Sequence, residues 1–385
     1  MRILTVVGNR PQFIKAAAVS GPLRERHEEV LVHTGQHYDD SLSRVFFAEL
    51  GLARPDRELG IGGGSNTQQT ARMLAALEPL IAQLAPDAAL VYGDTNSTLA
   101  GALAAAQAST PVVHVEAGMR SFDRRMPEEL NRVLIDHLST LLLCSSDTAA
   151  ANLRAESVAG AVEVVGDVMV DVAMRRQPSA RADERTPAEH GVRRGEYLLV
   201  TAHRAGNVDD AERLRALVEL IAALPAPVVL PLHPRTRARL RESALAGELE
   251  AIDGLRLSEP FGYVEFSALL CQARAVLTDS GGVQKEAYLA GVPCVTLRAN
   301  TEWVETVAAG WNTLVDLDAG AALAALATRP PSERPALYGD GRAAERCVAA
   351  VDALLRDAGA TGHTGAMRAP GATADATRLT ESDAP

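Results

Sequence analysis

This chain predicts an α/β fold built as two domains around parallel sheets, and three observations predict it. Its 385 residues exceed one ordinary domain. Short, apolar, β-prone runs alternate with helix-forming segments through both halves, which is the rhythm of βαβ units. The strands end in turns that collect glycines and charged residues, where open α/β sheets bind their ligands.

Composition narrows the function classes. Apolar residues make up 47% and charged residues 23%, as in an ordinary globular protein. With 38 basic against 49 acidic residues the formal charge is −11, which argues against nucleic acid and against an anionic membrane as partners. An anionic ligand must therefore be met by locally placed cations. Cys144, Cys271, Cys294 and Cys347 are far apart with no C-x-x-C pair, so they read as buried reduced thiols and not as metal ligands. Lys15 and Lys285 are the only lysines, and arginine supplies the rest of the positive charge. The N-terminus is too short for a signal segment and no apolar stretch approaches a membrane span, which predicts a cytoplasmic protein.

Residues 1–8 read as a buried strand leading into Gly8-Asn9-Arg10-Pro11-Gln12-Phe13-Ile14-Lys15, with Pro11 in the first turn of a helix to about Arg24. Arg10 and Lys15 place two cations at that strand's carboxyl end. The G-x-G-x-x-G fingerprint is absent, so a dinucleotide cofactor has no support there. A second strand, 29–33, ends in the polar loop Thr34 to Asp40, where His37 is a candidate ligand contact. Gly60 to Asn66 follows no convincing strand and reads as a loop capped by Ser65 or Asn66, before a helix to about Leu84.

The strand 88–92 leads into Gly93-Asp94-Thr95-Asn96 and the helix 99–107. The strand 111–115 ends in Glu116-Ala117-Gly118. Asp94 and Glu116 therefore stand at the carboxyl ends of neighbouring parallel strands. Pro127 opens a helix on which Glu128 shares a face with Asn131 or Arg132. Three carboxylates grouped in one pocket raise one another's pKa, which suits proton transfer near neutral pH. After the strand 161–165 the first domain closes near Val170, and residues 174–192 read as the crossing.

In the second half the strand 196–200 ends in Thr201-Ala202-His203-Arg204, ahead of a helix capped by Asn207 or Asp209. The strand 228–232 gives His233-Pro234-Arg235, and 255–257 gives Pro260-Phe261-Gly262-Tyr263. The run 275–278 leads into Asp279-Ser280-Gly281-Gly282-Val283-Gln284-Lys285-Glu286. Two glycines at a helix N-terminus let backbone N–H groups cradle a diphosphate, with Glu286 one turn in to take a ribose diol. A plain strand-to-helix turn with Ser280 as N-cap accounts for this octapeptide equally well, and Lys285 could simply be solvated. The strand 292–297 ends in Arg298 to Trp303. A helix at 342–356 ends the folded part, and 358–385 lacks periodicity and predicts disorder.

Taken together, GNRPQFIK, TGQHYD, YGDTNST, HVEAGMRS, MPEELNR, TAHR, PLHPRT, EPFGY and DSGGVQKEA, in that order over roughly residues 1–357, make the chain resemble the non-hydrolysing UDP-N-acetylglucosamine 2-epimerases. The resemblance implies two Rossmann-like domains in a glycosyltransferase-B arrangement with the active site in the interdomain cleft. It also implies a homodimer and no cofactor or metal. Expected domains are 1–172 and 173–357, with the last helix packing back on the first. Matched position by position, Arg10, Lys15 and Ser280-Gly281-Gly282 would hold the diphosphate and Glu286 the ribose. Arg132 and Phe261 would contribute further substrate contacts. Asp94, Glu116, Glu128 and His203 would form the catalytic set, and Gln36, His37, Arg204 and His233 match parts of a second, activating UDP-sugar site. Asn9 and Gln12 replace commoner Thr and Glu, Gly206 replaces Glu, and Trp303 stands where some members place an arginine.

The implied reaction inverts C2 of UDP-N-acetylglucosamine to give UDP-N-acetylmannosamine. The C2 proton lacks an adjacent carbonyl, so the route is elimination of UDP and re-addition through 2-acetamidoglucal, with acid and base groups on opposing walls. The alternatives are a hydrolysing variant that releases UDP and N-acetylmannosamine, a sugar transferase of the same fold, and a silent nucleotide-sugar binder. The acidic trio argues against the last two.

Overall fold

The structure, a computed structural model, describes residues 1–36, 47, 49–225 and 227–360. His37 and residues 361–385 lie outside them. Among the described residues the chain forms two wholly parallel sheets flanked by helices. The first holds β1 (Arg2–Val7), β2 (Glu28–His33), β3 (Arg57–Glu58), β4 (Ala88–Tyr92), β5 (Val112–Ala117), β6 (Leu141–Cys144) and β7 (Ala161–Val164), in the spatial order 3-2-1-4-5-6-7. The second holds β8 (Leu198–Thr201), β9 (Val228–Pro231), β10 (Leu255–Ser258), β11 (Ala275–Thr278), β12 (Cys294–Thr296) and β13 (Asn312–Leu314), in the order 10-9-8-11-12-13.

The strand order reverses between β1 and β4 in one sheet and between β8 and β11 in the other. At such a reversal the adjoining crossovers leave on opposite faces and open a crevice beyond the strand ends. Those four ends carry Asn9-Arg10, Gly93-Asp94, Ala202-His203-Arg204 and Asp279-Ser280. Strands buried on both faces read as apolar runs, and β1, β4, β6, β8 and β11 are buried almost throughout.

The second sheet sits between a cluster around Leu217, Leu230 and Leu277 and another around Tyr197, Leu269 and Val276. The first has Val6, Met73 and Leu77 on one face. Its other face shares a core with Tyr263, Tyr288 and Trp303 of the second half, so the two halves are packed together by apolar burial. The helix Val168–Ala182 spans the expected boundary at residue 172 and the first part of the expected 174–192 crossing, and Pro178 lies inside it. The helix Ala343–Ala360 returns to the first sheet's side. Cys347, Val348, Val351 and Leu355 are buried there, and His27 Nε2 lies 2.7 Å from Asp352 Oδ1.

Several local expectations need correction. The Gly60 loop does follow a strand, although β3 has only two residues. β6 and β13 are strands of only four and three residues, too short for a periodicity to show in the sequence. Asn207 caps nothing: it lies inside the short helix Ala205–Val208, and Asp210 caps the next helix by accepting from the N–H groups of Glu212 and Arg213, both at 3.0 Å. All four cysteines are free and buried.

Candidate active site in the interdomain cleft

The helix Gly281–Ala290 starts at the carboxyl end of β11, and Ser280 takes the N-cap position with extended backbone. Its side chain makes no capping hydrogen bond among the described residues, so the first-turn N–H groups are not closed off by the residue that ordinarily does so. A Cβ on Gly281 would stand 2.0 Å from Glu302 Oε1, whereas one on Gly282 would meet nothing closer than Ser280 Oγ at 4.0 Å. Gly281 is thus needed for the close approach of a carboxylate to the helix start, and Gly282 faces open space.

Glu302 is itself held by cations. Arg298 Nη1 donates to its Oε2 at 3.0 Å, and Arg204 Nη2 lies 3.9 Å from Oε1. Burial would raise its pKa, but Arg298, Arg204 and Arg132 overcome that and lower it. The Nε1–H of Trp303 is buried with no acceptor among the described residues, 3.4 Å from the same Gly281 Cβ position. A helix N-terminus, three arginines and an unsatisfied indole donor therefore converge on one anionic position.

Across the cleft, Glu116 sits on a β-bulge, where the β5–β6 register shifts between Val115 and Ala117, and it adopts φ +70°. A bulge re-aims a side chain, and a left-handed glutamate costs about 1 kcal/mol that the surrounding contacts must offset. Those contacts are the chain's two lysines. Lys15 Nζ lies 2.5 Å from Oε1, and Lys285 Nζ donates to Oε2 at 2.6 Å. Lys285 also pairs with Asp167 and lies 4.2 Å from the centre of the Trp303 ring. Burial would raise the Glu116 carboxyl, yet Lys15 and Lys285 hold it at about 2. The grouped-carboxylate expectation is therefore reversed at Glu116: cations, not other acids, surround it. Lys285 is not solvated, its side chain being 1% exposed.

Asp94 lies beside Glu116's strand, as the parallel β4–β5 register requires. It pairs with Arg132, whose Nη1 is 3.1 Å from Glu129 Oε2. Asn131 Nδ2 donates to the Asp94 carbonyl at 2.9 Å, so the helix Pro127–Leu138 does present this face to the β4 loop. Glu128 is half-buried, and its carboxylate makes no hydrogen bond among the described residues. On the opposite wall, buried Asp279 accepts the backbone N–H groups of His203 (3.0 Å) and Arg204 (2.9 Å), which pins that loop. The His203 and His233 rings stack at 5.1 Å. His233 Nδ1 accepts from the Arg235 N–H, and desolvation, with His203, Arg10 and Arg235 nearby, lowers its pKa to about 4.

A family model for UDP-N-acetylglucosamine 2-epimerase matches residues 23–352. The chain belongs to the UDP-N-acetylglucosamine 2-epimerase family. A Methanococcus maripaludis "UDP-N-acetylglucosamine 2-epimerase homolog" is 47% identical over 82% of this chain and 88% of its own. A Pseudomonas aeruginosa UDP-2,3-diacetamido-2,3-dideoxy-D-glucuronate 2-epimerase is 46% identical over 90% and 98%. The Methanocaldococcus jannaschii UDP-GlcNAc 2-epimerase in complex with UDP-GlcNAc and UDP overlays with a TM-score of 0.86 at 38% identity, covering 92% of this chain and 100% of that one. A second structure of that enzyme overlays at 0.71. The fold is that of the glycosyltransferase-B-like epimerases.

Within this epimerase family member, the residues expected from sequence fall into groups. Asp94, Glu116, Glu128 and Arg132 share the first domain's wall. Arg10 opens the helix Arg10–Arg24 and is close enough to His233 across the cleft to depress its pKa. His203, Arg204, His233, Ser280, Gly281, Gly282 and Glu286 form the opposite wall. Lys15 is engaged by Glu116. Phe261 is buried edge-on against His190 at 4.9 Å, which leaves only its backbone for a ligand. Gln36 Oε1 accepts from Ser97 Oγ at 2.6 Å and Ser97 N at 3.1 Å, so it braces the β2 loop. His37, expected in the activator group, lies outside the described residues.

Sequence reasoning missed Asp167, Asp279, Glu129 and Glu302 as site-builders. Asp279 stood in the quoted octapeptide, directly after a strand, and that position was the available signal. Asp167 acts through Lys285, more than a hundred residues away, and Glu302 pairs with nearby Arg298 but reaches the site only by folding back onto Gly281.

Proposed function

We propose that the chain inverts C2 of UDP-N-acetylglucosamine to give UDP-N-acetylmannosamine, by eliminating UDP and adding it back across 2-acetamidoglucal. One observation carries the reading: an ionised carboxylate, Glu116, faces the uncapped glycine turn at Ser280-Gly281-Gly282 across a cleft narrow enough for Lys285 to touch it. A diphosphate on that turn would be held by backbone N–H groups, Arg298 and the Trp303 indole, which favours its departure as an anion. The indole donor stands in for the arginine that some members place there. Lys15 and Lys285 keep Glu116 ionised, and diphosphate binding that draws Lys15 away would make it a stronger base. Inversion requires a second proton-transfer group on the other face of C2. Asp94, Glu128 and His203 are the candidates within the cleft.

A second substrate has one observation in its favour, the Pseudomonas relative's activity on a diacetamido uronic acid. The deciding experiment incubates the purified protein with UDP-N-acetylglucosamine in deuterated water, followed by proton NMR. UDP-N-acetylmannosamine deuterated at C2 is the expected product. Free N-acetylmannosamine with UDP moves the reading to the hydrolysing variant. An unchanged sugar, with turnover of the diacetamido uronic acid instead, moves it to the relative's substrate.

Three finer readings belong here as well. The nucleotide half comprises 173–357. Arg204 and His233, with Gln36 and His37, bind an activating second UDP-sugar, which sigmoidal rate curves would report. The chain works as a homodimer, supported by Leu130 and Leu134, one helical turn apart and 48% and 52% exposed. Light scattering tests that. No described helix is long and apolar enough to cross a membrane.

A further inference from the structure

Lys285 has no place among the diphosphate, ribose or acid–base residues assigned above, yet it is the most enclosed cation in the cleft. It belongs to the second domain, on the helix whose first turn is the proposed diphosphate cradle and whose next residue is Glu286. Its ammonium reaches the first domain and meets two carboxylates there, Glu116 Oε2 at 2.6 Å and Asp167. Asp167 in turn caps the helix Val168–Ala182, accepting from Met169 N at 2.8 Å through its other oxygen. That helix runs from the first domain into the second. The Trp303 ring closes the remaining side at 4.2 Å.

We propose that Lys285 is a positioning residue that fixes Glu116 in its left-handed, bulged conformation and ties it rigidly to the helix that binds the diphosphate. Three features carry this. The bulge makes Glu116's direction a strained one that needs an external hold. Lys15 comes from the same domain and can be drawn off by a diphosphate, so it is not a permanent hold. Lys285 is locked by Asp167 and is one helical turn from the cradle, so one rigid element registers the leaving group and the base. The charged groups facing Glu116 are Lys15 and Lys285, and those near Lys285 are Glu116, Asp167 and the adjacent Glu286.

The kinetic part of the test rests on the epimerase reading, and a second readout does not. In Lys285→Met, kcat should fall about 100-fold, the cost of a roughly 1 Å misplacement of a reacting group, with the dissociation constant for UDP changed by less than about threefold. The acid limb of kcat against pH should move up by about one unit, because the cation that stays beside the carboxylate in the bound complex is gone. Lys285→Arg keeps the charge and should leave the limb near wild type. Lys285→Met combined with Asp167→Asn avoids stranding a buried carboxylate and keeps the experiment readable if the single variant does not fold. Amide hydrogen exchange of residues 116–120 should quicken about tenfold or more in the double variant and not in Lys285→Arg. An unmoved pH limb with unchanged exchange overturns the proposal, and so does a limb that moves equally in Lys285→Arg. Wild-type protein that leaves every UDP-sugar unchanged overturns the epimerase reading alone, and the exchange measurement still decides the role of Lys285.

Discussion

Glu116 and Glu286 are carboxylates with opposite electrostatics. Glu116 is stabilised as an anion by two lysines, while half-buried Glu286 loses hydration and is pushed up to about 7, with Lys285 offsetting only part of that. Glu116→Gln should lower kcat by about 10³, the usual scale for removing a proton-transfer group, while isothermal calorimetry finds UDP binding little changed. Glu286 makes a stability prediction with the opposite sign. Between an unfolded value of 4.5 and about 7, the native carboxyl keeps a proton that the unfolded chain has released. Unfolding free energy should therefore fall as pH rises through that window and level off above it. Urea midpoints at pH 5 and pH 7.5 test this, and Glu286→Gln should flatten the difference. The identity of these residues was readable from sequence; their charge states were not, because each depends on partners supplied by the other domain or by burial.

At the scale of elements, helix starts and strand ends do most of the positioning. Gly118 follows the bulge at φ +78°, and a Cβ there would meet the Ala149 carbonyl oxygen at 2.3 Å. Gly118→Ala should destabilise by about 3 kcal/mol through clash and backbone strain, seen as a lowered denaturation midpoint. Gly281→Ala meets a side-chain oxygen instead, which can move. It should fold normally and lose about tenfold in UDP affinity, because Glu302 must shift and carries its partner Arg298 away from the helix start. Strands 88–92 and 275–278 were legible because apolar runs ended in glycine-bearing turns. β6, read from Leu141-Leu142-Leu143-Cys144, was not, because four apolar residues after a helix look like more helix. Asn207 was misread as a cap because a short polar residue near a turn has several uses, and here its amide serves Asp279 and the Leu297 carbonyl.

One of the molecule's apolar clusters is shared by both halves, and the final helix helps to seal it. A chain ending at residue 342 would expose the surface that Cys347, Val348, Val351 and Leu355 cover, and should be aggregated or markedly less heat-stable. Size-exclusion chromatography with thermal denaturation measures this. Other contacts also cross between the halves. Glu49 Oε2 accepts from Tyr263 N at 2.8 Å, and Ser146 Oγ donates to Glu305 Oε1 at 3.1 Å. These polar contacts are individually worth about 1 kcal/mol, so apolar burial decides that the halves stay together and the polar contacts decide their register.

From sequence alone came the α/β class, the pairing of strand ends with polar turns, the family resemblance and, through that resemblance only, the expectation that Asp94, Glu116, Arg132, His203 and the Ser280-Gly281-Gly282 turn line one cleft. Local periodicity and turn chemistry are encoded within a few residues, and strand-end placement follows from the handedness of βα units. The tertiary structure alone decided that both lysines converge on Glu116, that Glu302 leans on the cradle's first glycine, and that one helix joins the halves at Asp167. Each of these is a contact between residues apart in the chain, and the energy of such a contact depends on distance and burial, which sequence spacing does not carry.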